Sequence, residues 1–198
     1  IKLNETPVRT SRNFNINNIK LEDINIPEKL EPFNKISILG DIEASENIEN
    51  TELTYGVGEV LINQVRNNSN KKIRININKK IEDTILINFK FDKANPNLIE
   101  NIEIVLEEAS KANIILKYES EDIENVYHNG IIKVVAKNNS ELNVTIVNLL
   151  NKKANNFMSI DNTINENSKV NYSIVDFGGK NSITNYYSNL KGNLSENK

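Results

Sequence analysis

Three stretches of this chain repeat one another at almost equal intervals, and that spacing restricts the fold more than any other feature. Glu108-Ala-Ser-Lys-Ala-Asn-Ile-Ile-Leu, Asn138-Asn-Ser-Glu-Leu-Asn-Val-Thr-Ile and Glu166-Asn-Ser-Lys-Val-Asn-Tyr-Ser-Ile align on Ser110, Ser140 and Ser168, at spacings of 30 and 28 residues. One more step of 28 lands on Glu196, in Asn193-Leu-Ser-Glu. Each unit reads as a strand, a polar turn holding a small residue, and a second strand. Two short strands cannot close a core alone, but units stacked on their neighbours bury their inward side chains and pair their backbones. A β-sandwich also yields short strands with regular turns. The repeat favours a β-solenoid or β-helix over it.

Alternation supports the strand reading from about Glu59 onward. In KKIRININKK, Ile73, Ile75 and Ile77 share one face while Arg74, Asn76 and Asn78 share the other, because successive side chains of a strand point to opposite sides. Ile85, Ile87, Phe89 and Phe91 follow the same rule, as do Leu142, Val144 and Ile146. Residues 1–58 differ. They hold three of the four prolines (Pro7, Pro27, Pro32) and an acidic run from Asp41 to Glu52, which predicts an N-terminal arm with short helical turns around Pro27 to Phe33. The sequence thus divides into an arm over 1–58 and a β-helix over 59–198.

Several sharper readings fail on chemistry. Gly-Gly-Lys-Asn-Ser at Gly178 to Ser182 resembles part of a phosphate-binding loop, yet the position five before Gly179 is Ile174 and Lys180 is followed by Asn181; a Walker loop needs glycine and a hydroxyl there. Lys71, Lys72, Arg74, Lys79 and Lys80 form a basic cluster without interleaved aromatics to stack bases, so it reads as charged strand ends and no nucleic acid is expected. With 38 Asn in the chain, its Asn-x-Ser/Thr matches carry no weight. His128 is the only histidine and there is no cysteine, so a structural metal site of the His/Cys type has no ligand set. Beside Asn129-Gly130, a strong tight-turn signal, His128 reads as a turn or surface residue. Asp161 and Asp176 suggest the carboxylates of a β-helical polysaccharide-acting enzyme or carbohydrate-binding protein. Fifteen residues apart, about half a repeat, they are expected on different sides.

Net charge is -3, so no global field draws the chain to polyanions or membranes. No apolar run exceeds three residues, which excludes a spanning helix from this sequence. The lack of cysteine fits a cytoplasmic protein.

The ordered set NETPVRTSRNFNINNIKLEDINIP, NGIIKVVAKNNSELNVTIVNLLN and FMSIDNTINENSKVNYSIVDFGGKNSITNYYSNLKGN resembles the SufB/SufD family, and most closely its SufD branch. The resemblance is strongest over Asn125 to Asn193. It implies a mainly β fold, a right-handed parallel β-helix preceded by the arm, and a non-enzymatic scaffold subunit in iron–sulfur cluster assembly. The implied partners are a SufB-like paralogue and a SufC-like ABC-type ATPase, with a homodimer as the form open to the isolated subunit. No catalytic, cofactor-binding or metal residue carries over, and the cluster is the product of the whole complex, not a cofactor of this segment. Members of the family continue past this point, and the chain starts at Ile1 without Met. The chain is therefore expected to be the N-terminal part of a longer protein. In this reading Gly178 and Gly179 make a tight turn between rungs, Lys180 is a solvated corner, and Tyr186 and Tyr187 point to opposite sides of the next strand.

Overall fold

The inward isoleucines of KKIRININKK begin a column that continues through the molecule. The computed structural model describes residues 2–3, 19–21, 24, 26–27, 30–48 and 52–198. Four short strands come first: β1 (Lys2–Leu3) pairs with β2 (Ile19–Lys20), and β3 (Ile36–Leu39) and β4 (Ala44–Ser45) follow. A helix, α1 (Glu59–Asn68), precedes the solenoid strands β5 (Lys71–Ile77), β6 (Lys80–Phe91), β7 (Asn97–Leu106), β8 (Lys111–Ser120), β9 (Tyr127–Ala136), β10 (Glu141–Leu149), β11 (Asn155–Ile164), β12 (Lys169–Asp176), β13 (Asn181–Leu190) and β14 (Glu196–Asn197). From β5 onward, consecutive strands fall alternately into two six-stranded sheets, ordered β14-β12-β10-β8-β6-β3 and β13-β11-β9-β7-β5-β4. All the pairings among β5 to β14 are parallel, and β3 and β4 close the first edge of each sheet antiparallel. This is a parallel β-solenoid.

The two arm strands have a physical reason to be there. An open sheet edge presents unpaired N–H and C=O groups that template association, and β3 covers Leu86 to Phe89 while β4 covers Arg74 and Ile75. Phe33, buried beside Phe89 and Phe91 with ring centroids 6.4 and 5.2 Å away, plugs the same end. The acidic run lies against the basic strand ends: Asp41 pairs with Lys79 at 2.5 Å and Glu46 with Lys71 at 2.7 Å. Lys71 donates a hydrogen bond to Glu46 and holds its carboxyl below the usual range. No helical turn is found at Ile26, Pro27 or Leu30 to Phe33; Glu28 and Lys29 lie outside the described residues. The helix sits instead at Glu59–Asn68, ahead of the first alternating strand.

The serine turns stack as the repeat requires. Ser110, Ser140 and Ser168 are buried at consecutive corners, each directly preceding a strand whose first residues (Lys111, Glu141, Lys169) are paired in register. The next serine in that column is Ser195, since Lys169 pairs with Glu196; the last step is thus 27 residues, one shorter than the repeat predicted. Before each serine stands a left-handed residue: Ala109 (φ 57°), Asn139 (φ 60°), Asn167 (φ 54°) and Leu194 (φ 57°). Each serine hydroxyl donates to a carbonyl of its own or the preceding corner, such as Ser110 to Glu107 at 2.7 Å and Ser168 to Lys137 at 2.6 Å. Asparagine ladders run along the flanks, Asn171 donating to Asn143 at 2.9 Å and Asn143 to Asn113 at 2.8 Å. Glu141 bridges back to Lys111 at 3.2 Å.

Gly178 and Gly179 occupy the corner between β12 and β13. Gly179 adopts φ 113°, and a Cβ on Gly178 would stand 1.7 Å from the Leu150 carbonyl oxygen of the rung below. Lys180 is exposed. Tyr186 packs edge-on against Tyr172, and Tyr187 against Tyr55 of the arm, so the two tyrosines do face opposite ways.

Candidate functional site

Most inward positions are aliphatic and form one continuous core from Ile73 to Val170. At one side of the cross-section the inward registers instead carry polar groups. On β7, inward parity runs Leu98, Glu100, Ile102, Ile104, Leu106, and it places the Glu100 carboxylate in the core with no solvent exposure. On β9 the same parity brings in His128, also fully buried. The expected turn or surface position of His128 is thereby corrected. Asn129-Gly130 lies within β9, not at a turn. Tertiary demands override the local signal at both residues. Asn129 points outward and donates to the Leu61 carbonyl at 2.9 Å and to Gln64 Oε1 at 2.7 Å, docking α1. Gly130 points inward, where a Cβ would come 3.0 Å from Glu100 Oε1 and 3.1 Å from His128 Nε2. Its missing side chain is what lets the carboxyl and the imidazole meet.

The resulting line crosses four strands of one sheet, β7, β9, β11 and β13, and takes Tyr118 and Asp176 from the facing sheet. Tyr118 of β8 donates to Glu100 Oε1 at 2.5 Å, and His128 Nε2 lies 3.1 Å from the same oxygen. His128 Nδ1 is 2.6 Å from Asn156 Oδ1 on β11. Asn156 Nδ2 donates to Ser182 Oγ of β13 at 3.0 Å. Ser182 in turn donates to Asp176, which also receives Asn148 Nδ2 at 2.8 Å. The line runs from a sealed interior at Glu100 to exposed Asp176 and Ser182. Phe89 stacks on Tyr118 at 4.9 Å, and the Tyr118 and His128 rings lie 4.5 Å apart, which excludes water from the inner end. Burial first, and then the Glu100 charge, push the Tyr118 phenol well above its ordinary range, so it stays a donor. Among the described residues Glu100 Oε2 has no hydrogen-bond partner. An oxygen so placed is costly in a core.

Among the described residues no group of three or more His, Cys, Asp or Glu side chains is arranged to hold a metal. Asp161 and Asp176 do not converge. Asp161 faces outward beneath the arm and accepts the Thr54 N–H at 2.6 Å, whereas Asp176 lies in the inward register at the last rungs. Glu100, Tyr118 and Asn156 escaped sequence reasoning. The usable signal was parity: once Ile102 and Ile104 are inward, Glu100 must be inward too, and Asn156 follows His128 by 28 residues, one repeat.

The outer face of the β13-β4 sheet is covered by a second apolar cluster of Val57, Leu61 and Val65 against Ile99, Tyr127, Ile131 and Phe157. Among the described residues no helix is long and apolar enough to cross a membrane. In comparison with known families, residues 89–198, more than half of the chain, match the model described as SUF system FeS cluster assembly, SufBD core domain. Comparison with curated proteins and with solved structures found no match.

Proposed function

Since this chain belongs to the SufB/SufD family of the SUF system for iron–sulfur cluster assembly, we propose that it is a SufD-like, non-enzymatic scaffold subunit. It works with a SufB-like paralogue and a SufC-like ABC-type ATPase in the cytoplasm. In this reading residues 1–58 are the arm and 59–198 belong to the β-helix. The supporting observation is the extent of the family match, which spans the rungs from late β6 to the end of the ladder. A rigid parallel ladder suits a scaffold, because each rung is fixed by pairing on both sides and by a continuous aliphatic column. Work on the cluster falls to the assembled complex, and the nucleotide chemistry to the ATPase.

Affinity purification of the full-length protein from its native cytosol tests the proposal. An ABC-type ATPase and a larger cysteine-containing paralogue should be recovered with it. Recovery of neither overturns the assignment.

A further inference from the structure

The hydrogen-bond line fixes where the protons of the buried histidine must be. The Ser182 hydroxyl donates to Asp176, so its one proton is spent there. Ser182 Oγ therefore accepts from Asn156, which must present Nδ2 to it and Oδ1 to His128. An amide oxygen cannot donate. His128 Nδ1 thus carries a proton. On the other side, Tyr118 already donates to Glu100 Oε1, and Nε2 approaches that same oxygen. With Nδ1 protonated, a neutral pair would need the acid proton on Oε1, aimed at a bare Nε2. Tyr118 would then donate to a hydroxyl oxygen, a poor acceptor, whereas a carboxylate Oε1 accepts from both Tyr118 and Nε2.

We propose that Glu100 and His128 form a buried carboxylate–imidazolium pair inside the solenoid, linking β7 to β9, with both ring nitrogens of His128 protonated. The charged and titratable groups facing the imidazole are Glu100 from β7 and Tyr118 from β8. From β6, β11 and β13 it meets Phe91, Asn156 and, through Asn156, Ser182. Asp176 is the next charge along the line. Among the described residues no cation other than the imidazolium is within hydrogen-bond reach of Glu100, so its charge is balanced from within the core. Gly130 is part of the device, since it supplies the space in which the two groups touch.

The chain has one histidine, so its ring signals need no assignment. Nitrogen-15 correlation spectra of the labelled protein at neutral pH should place both ring nitrogens in the protonated range. In Glu100→Gln, Nε2 should move to the unprotonated range while Nδ1, still facing Asn156, stays protonated. Tyr118→Phe, which keeps the carboxylate, should retain both protons and serves if the first variant does not fold. One protonated and one unprotonated nitrogen in the wild-type protein would overturn the proposal. So would a Glu100→Gln variant that folds and keeps both protons.

Discussion

Ala109 holds φ 57° in the corner between β7 and β8, where the two following corners use Asn139 and Asn167. A left-handed backbone crowds Cβ against the next carbonyl and costs roughly 1 kcal/mol for an ordinary L-residue, less for Asn or Gly. Ala109→Asn should therefore stabilise the protein by about 0.5–1 kcal/mol, read as a raised urea midpoint with unchanged slope. A lowered midpoint would mean that this corner is set by packing rather than by local strain. At this scale the sequence is informative where the rule is purely local. The serine corners and glycines 178 and 179 were legible because a turn that lacks space or needs positive φ leaves few residue choices. His128 and Gly130 were not, because their surroundings come from strands 28 and 30 positions away along the chain.

Among the elements, the strands were legible from alternation, and β5, β6 and β10 bury the isoleucines, phenylalanines and leucine that the pattern selects. The helix α1 was not, since it lies in a segment whose stripe of Val57, Leu61 and Val65 is too short to stand out from mixed polar sequence. Its position depends on a partner. Asn129 donates to both the Leu61 carbonyl and Gln64, and Tyr127 donates to Gln64 at 2.8 Å. Asn129→Ala removes two buried hydrogen bonds, leaving Gln64 Oε1 with Tyr127 alone, which costs about 1–3 kcal/mol. The loss should be local: amide exchange in α1 should accelerate while β10 and β12 keep their protection. Equal acceleration in all of them would show that the helix and solenoid open as one unit.

For the molecule as a whole, family membership and solenoid architecture meet in the in-register ladder, and the repeat in the sequence foretold that ladder to within one residue. The interior polar line was the part hidden from it, because a carboxylate at an inward register violates the very pattern used to find the registers. The absence of cysteine makes the ladder directly testable. Thr145 and Ser173 are register partners on adjacent strands of the outer face, within the Cα separation a disulfide can span, whereas Thr145 and Asn171 are offset by two positions and lie beyond about 7 Å. In the double variant Thr145→Cys with Ser173→Cys, mild oxidation should give near-complete intramolecular cross-linking, and Thr145→Cys with Asn171→Cys should give little. Equal yields, or the reverse order, would contradict the stacked parallel rungs on which the whole account stands.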